Sequence, residues 1–349
     1  MEDGTGNKAS VNMRYKEDNF MKDKMTLKGC FDSIRGVKGG NILILFLAIQ
    51  IVAVSASLLF PESFRYVSQA NLRVIFQAIP TLGVIAIGVN LLMIAGEFDL
   101  SVGSTFTFSA LIMAKLFNAG FPSLLCALTA LLVGAFIGWL NGFATVKARV
   151  PSFIITLGSM MFWRGIILYV SQSANETFHP GSFFAALFTV SLGPFQIQFV
   201  WFVLIAIAAW FLLERHRIGN HFFAVGGNKN AAIALGVNSD RIKILAFTIV
   251  GVLSAFSGIM STTRVSSVSP IQGEGLELNA IAACVIGGTA LMGGRGSVLG
   301  AFLGAALFYT IQDFLLLLRA PGSYLKLFVG IVIIVATILN EVLKDSSRR

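Results

Sequence analysis

Apolar residues run along this chain in ten long blocks, at about 41–60, 70–95, 101–118, 122–146, 152–171, 196–213, 242–262, 276–292, 297–318 and 324–342, with short polar interruptions between them. Most reach the roughly 17 to 25 residues that carry an α-helix across a bilayer, the only open-chain element that satisfies its own backbone in lipid. The pattern predicts an all-α polytopic membrane protein with about ten transmembrane helices over 41–342, flanked by polar tails at 1–40 and 343–349. No apolar stretch precedes Asn41, so the first block reads as an uncleaved anchor. Phe20, Met21, Leu27, Phe31 and Ile34 space themselves as a short amphipathic helix for a membrane surface, or belong to an unstructured tail.

The longest polar interruption inside the apolar region is 214–243, ERHRIGNHFFAVGGNKNAAIALGVNSDRIK. Asn228 is placed to cap a helix from Lys229 to Leu235, its side-chain oxygen taking an amide of the first turn, and Gly236 to close it in a left-handed conformation. Two turns of helix are marginal alone, because nucleation fixes many dihedrals for few bonds. The helix therefore packs either on the protein's own cytoplasmic face or, through Ala231, Ala232, Ile233 and Leu235, in a groove of a soluble partner.

A second interruption, AGEFDLSVGS at 95–104, sets Glu97 and Asp99 two residues apart. A carboxylate on a lipid-facing helix costs about 2.5–3.5 kcal/mol, so neither faces lipid. Either the stretch is a tight turn with Asp99 capping the next helix, or it is a break that dips toward a cavity and puts Asp99 and Ser101 beside a transport path. Arg164 lies deep in the fifth block and needs protein, a cavity or a carboxylate, with Asp313 as a candidate partner. Glu277 and Asn279 open the eighth block ahead of small residues, either lining a passage or as a dipole partner at a helix start. Lys115 reads as snorkelling to an interface. Gly134, Gly138 and Gly142, and again Gly296, Gly300 and Gly304, recur every four residues and leave bare ridges for close helix packing. The loop 172–196 holds no Lys or Arg and reads as external, meeting a partner or solvent.

Composition agrees with this picture: of 349 residues 56% are hydrophobic and 12% charged, and the mean hydropathy is +0.80, unlike a soluble enzyme. The net charge of +9 does not point to nucleic acid, because with both termini cytoplasmic most of the 26 Lys and Arg fall in cytoplasmic stretches. Cys30, Cys126 and Cys284 lack metal or disulfide spacing. The phosphate-cradling loop is missing, since GGNKN has the wrong spacing and no hydroxyl, and His179, His216 and His221 show no metal spacing. The chain thus reads as neither an enzyme nor a cofactor protein. A transport protein without its own engine is driven by an ion gradient, with Glu97, Asp99 or Arg164 as coupling groups, or by a separate subunit; a scaffold docking a cytoplasmic partner is the remaining reading.

Four stretches carry a resemblance: AGEFDLSVGS at 95–104, VPSFIITLGSMMFWRG at 150–165, RIGNHFFAVGGNKNAAIALGV at 217–237 and ELNAIAACVIGGTALMGGRGSVLGAFLGA at 277–305. In that order they resemble the permease subunit of bacterial ABC sugar importers of the ribose type. The resemblance implies a multi-pass protein of the bacterial cytoplasmic (inner) membrane that pairs with a second permease chain, homologous or identical. It also implies a cytoplasmic ATPase pair docked at Gly227, Asn228, Ala231, Ala232 and Gly236, and an extracytoplasmic sugar-binding protein. ATP would be used by the partner, with no cofactor on this chain and a monosaccharide as cargo. Asp99, Ser101, Arg164, Glu277 and Asn279 are then the candidates for the path. Glu97 and Phe98 depart from the glycine and aliphatic residue usual in the family before that Asp, and Ile233 and Leu235 from its usual basic residue and Ser.

Overall fold

A computed structural model describes residues 40–346, so the tail readings at 1–39 and 347–349, including the amphipathic helix at Phe20 to Ile34, lie outside the described residues. Each apolar block coincides with a helix. They are α1 (Gly40–Leu59), α2 (Gln69–Ile94), α3 (Val102–Asn118), α4 (Ser123–Ala148), α5 (Ser152–Ser171), α7 (Ile197–Trp210), α10 (Ser239–Val265), α11 (Leu276–Ile286), α12 (Val298–Leu317) and α13 (Ser323–Ser346). Short helices α6 (Ser182–Thr189), α8 (Arg217–Gly227) and α9 (Lys229–Ala234) sit in the connections. Among the described residues seven helices are long and apolar enough to cross a membrane: α1, α2, α4, α5, α10, α12, and α7 taken together with the π-helical turn Phe211–Arg215 that prolongs it.

Three of the ten blocks expected to cross, the third, eighth and tenth, are not among these seven, and the eighth departs most. Its helix stops at Ile286, and eleven residues rise only about 17 Å, short of the roughly 30 Å hydrocarbon core. Gly287, Gly288, Gly293 and Gly294 follow, three of them at positive φ, where a helix cannot continue.

Every residue of α2 from Ile79 to Ile94 is buried, so this part of the helix has no lipid face and forms the axis of the bundle. Around it, α4 and α10 pack along bare ridges. A Cβ at Gly134 would strike the Gly251 carbonyl, and one at Gly138 the Phe247 carbonyl. The second ridge works between α11 and α12, where Gly300 lies on the Gly287 carbonyl and Gly304 on that of Ala283, while Gly296 rests instead on the Ile94 side chain. Backbones this close gain dispersion contact that larger side chains would prevent. Large apolar side chains such as Ile51, Leu58, Leu132, Phe162 and Tyr169 are exposed on the outer faces of α1, α4 and α5.

The 172–196 connection is not a bare loop. Strands β1 (Glu176–Thr177) and β4 (Ser267–Val268) pair antiparallel, β2 (Ser191–Leu192) pairs with β3 (Phe195–Gln196), and Phe178 is fully buried. This ladder ties the end of α5 to the end of α10.

Candidate functional site

Two registers place the polar groups in depth. Along α5, the Phe98 N–H donates to Ser152 Oγ at the first residue (3.1 Å), and Ser104 Oγ donates to the Met160 carbonyl (3.0 Å). Arg164 is reached twelve residues after Ser152, about 18 Å along the axis. Along α2, Cys284 Sγ donates to the Ala86 carbonyl (3.1 Å), Thr289 Oγ1 to Asn90 Oδ1 (2.6 Å) and the Gly294 N–H to the Ile94 carbonyl (2.9 Å). Residues 95–101 thus climb from the end of α2 into the bundle, while α11 and the glycine stretch after it descend to that same end.

Asp99 is 2% exposed, and its Oδ1 accepts from the Ser101 amide (2.7 Å) and hydroxyl (2.6 Å); Asn141 Nδ2 on α4 donates to Ser101 Oγ (2.8 Å). Asp99 does close the backbone ahead of α3, yet the N-cap residue is Ser101 and the whole group is buried rather than on a solvated surface. Asn141 was not foreseen: one polar residue in an apolar helix gives no sign of its partner. Glu97 forms an ion pair with Lys243 at the start of α10, both side chains largely buried.

Arg164 does not meet Asp313. Its guanidinium pairs with Glu277 (3.2 Å) and with the more exposed Glu274 (3.6 Å), whereas Asp313 accepts from Asn71 Nδ2 (2.8 Å). Asp313 follows α12 to a different neighbour, which sequence separation conceals. Glu277 Oε2 is buried, has no hydrogen-bond partner among the described residues and lies against Gly103. Asn279, half-buried, is two positions on and so points away from the face that carries Glu277. The structure therefore joins Asp99 with Ser101, and Arg164 with Glu277, and leaves Asn279 outside both clusters.

At the far end, Lys115 does more than snorkel. Its Nζ binds Glu176 Oε2 (2.9 Å), and Asn118 Nδ2 donates to Glu176 Oε1 (2.7 Å). The Lys115 hydrogen bond holds the Glu176 carboxyl below its ordinary pKa.

The polar stretch 214–243 folds into two helices, and only the second was predicted. In α8 the residues Gly219, Phe222 and Val225 are buried at a spacing of three, a period the glycines and charges around them masked. His216 caps it, Nδ1 accepting from the Ile218 amide (3.2 Å). In α9 the Asn228 side chain accepts from the Ala231 amide (3.0 Å), and Gly236 (φ +83°) closes the helix with its N–H on the Ile233 carbonyl (2.9 Å), as the sequence predicted. The apolar surface is divided: Ala232 is 2% exposed and packs inward, while Ala231, Ile233 and Leu235 face out. Gly226 lies on the Ile94 carbonyl, Gly293 on Gly96, and Gly294 on Gly227. The α8–α9 corner thus touches both breaks, the one after α2 and the one after α11. Among the described residues no cluster of His, Cys, Asp or Glu could hold a metal.

Residues 71–337 match the family described as the branched-chain amino acid transport system / permease component. The chain is 32% identical to the autoinducer 2 import system permease protein LsrC of Salmonella choleraesuis (strain SC-B67) over 86% of this chain and 87% of that protein. It is 36% identical to the LsrC protein of Enterobacter sp. (strain 638) over 81% of this chain and 82% of the relative. With the LsrC protein of Escherichia coli O9:H4 (strain HS) it shares 32% over 82% and 83%. No solved structure matches the chain.

Proposed function

The chain belongs to the branched-chain amino acid transport system / permease component family, and we propose that it is the pore-forming subunit of an importer that carries a small polyhydroxylated solute and is driven by a separate ATPase. It is a multi-pass permease of the bacterial cytoplasmic membrane. One observation carries the reading: α9 turns Ala231, Ile233 and Leu235 outward at the corner that touches both breaks in the bundle. A partner seated on α9 pushes on Gly226 and Gly227, and through them on the stretches that bear Asp99 and lead back to Glu277.

In this mechanism Gly227, Asn228, Ala231 and Gly236 shape the face that receives the ATPase, and Ala232 anchors that face from inside. Asp99, Ser101, Arg164 and Glu277 line the path, with Asn279 on its margin. Broken helices are where transporters place such groups, since freed backbone and side-chain polar atoms then face a cavity instead of lipid. The cargo we favour is a pentose or hexose in furanose form; autoinducer 2, named for the relatives, is assayed beside it. A second permease chain completes the pore and an extracytoplasmic binding protein delivers the solute. ATP is consumed by the partner, and nothing in the path requires a cofactor.

The test is reconstitution with the neighbouring ATPase and binding protein in proteoliposomes, following labelled solute. ATP-dependent uptake that requires all three components supports the proposal. Uptake by this chain alone, collapsed by a protonophore and indifferent to ATP, overturns it in favour of a gradient-driven transporter.

A further inference from the structure

Among the described residues one ion pair, Glu97 with Lys243, joins the path segment to the helix that follows α9, across 146 residues of sequence. Both side chains are largely buried, at 11% and 14% exposure. Removing either partner would leave an uncompensated charge in a poorly solvated place, so the two are held together strongly even where the net contribution to stability is small.

What the pair connects is more informative than its strength. On one side Glu97 stands one residue from Phe98, whose amide is fixed to Ser152 of α5, and two from Asp99, which holds the start of α3 through Ser101. Any shift of Glu97 is therefore passed along two peptide units to Asp99. On the other side Lys243 lies in the second turn of α10, whose N-terminus is capped by Asn238 Oδ1 on the Arg241 amide (3.0 Å), directly after the Gly236 turn that ends α9. A cleft of about 560 Å³ opens between these parts, lined by Glu97, Lys243, Arg149 and, from α9, Lys229, Asn230 and Ile233. That space separates α9 from the end of α4, and both partners of the ion pair line it. At Gly226 against Ile94 and at Gly293 against Gly96 the backbones pack so closely that they resist compression. The ion pair adds an attraction that resists separation of the 95–101 segment from α10.

We propose that Glu97 and Lys243 are a pair of positioning residues that draw the 95–101 segment along when α10 follows α9, so that movement at the partner-docking face reaches Asp99 in both directions. The inference rests on the proposed importer function and adds the element that returns the path to its starting state.

The full complex in proteoliposomes, with ATP hydrolysis and solute uptake measured together, tests this. In Glu97→Gln and Lys243→Met, ATP hydrolysis continues and solute moved per ATP falls about five- to tenfold, the lower range of coupling between sites. Lys243→Arg, which keeps the charge, retains the wild-type ratio. An unchanged ratio in both neutral variants overturns the proposal, as does a ratio in Lys243→Arg as low as in Lys243→Met. Should the neutral variants fail to assemble, the exchanged pair Glu97→Lys with Lys243→Glu decides: a ratio near wild type supports the pull, and an assembled complex with a lost ratio refutes it. A wild-type complex without ATP-dependent uptake refutes the importer function itself, a result distinct from all of these.

Discussion

Gly103 at the start of α3 and Gly273 in the turn before α11 lie face to face, each so close that a Cβ on one would strike the carbonyl oxygen of the other. Their contact is where the break rising from α2 meets the stretch descending from β4, and the unpartnered Glu277 Oε2 borders it. A side chain cannot be accommodated by a rotamer change when the obstacle is backbone. Gly103→Ala and Gly273→Ala are each expected to cost about 1–3 kcal/mol by overpacking and to abolish uptake. Thermal unfolding in detergent and proteoliposome flux measure the two effects, and wild-type values for both would remove this contact from the mechanism.

Arg164 and Glu277 make a pair with one largely buried partner, the side chains being 26% and 10% exposed. Neutralising one alone, as in Arg164→Met, leaves Glu277 buried and unpaired, a loss of roughly 2 kcal/mol after discounting the 3–5 kcal/mol of a fully buried pair for solvent access. Arg164→Met with Glu277→Leu recovers most of that stability while uptake stays lost. Glu274→Gln, at a carboxylate 58% exposed, leaves the melting temperature nearly unchanged. Recovery of uptake in the double variant would mean that the pair serves the fold alone.

On α9 a single residue of sequence separates opposite outcomes. Ala231→Glu and Leu235→Glu change exposed positions and are expected to alter stability by no more than about 0.5 kcal/mol while preventing co-purification with the ATPase. Ala232→Glu puts a charge at a buried position and lowers the melting temperature of the isolated chain. Unimpaired co-purification of the Leu235 variant would argue against α9 as the docking face.

The pH response of the end that carries the β1–β4 pair follows from Glu176. Its folded pKa lies below the ordinary value of 4.5 because Lys115 bonds the ionised form. The contribution of this contact is thus complete above about pH 4.5 and is lost as pH falls through the depressed folded value. Hydrogen exchange at Phe178, whose amide bonds the Ser266 carbonyl just beyond the strand pair, is expected to lose protection over that acid range, and Glu176→Gln to show no such step. The same step in the variant would assign the acid response to another group.

Much of the fold was legible in the chain alone, for a physical reason. Lipid offers no hydrogen bonds, so block length and apolarity fix helices almost independently of context, and every block holds a helix, though the eighth stops at Ile286 and only seven are long and apolar enough to cross among the described residues. Capping is equally local: Asn228 and Gly236 bound α9 as read, because cap chemistry depends only on residues within one turn. The bare ridges of α4 and α12 were also visible as spacing. What the sequence could not contain was which surface each feature meets. Arg164 chose Glu277 over Asp313, Ser101 found Asn141, Glu97 found Lys243, and Ala232 turned inward while its neighbours turned out. Those choices depend on how helices far apart in sequence are rotated and stacked, a decision taken by the sum of many weak packing contacts, and the breaks at 95–101 and after Ile286 came to border one corner only when that stacking was complete.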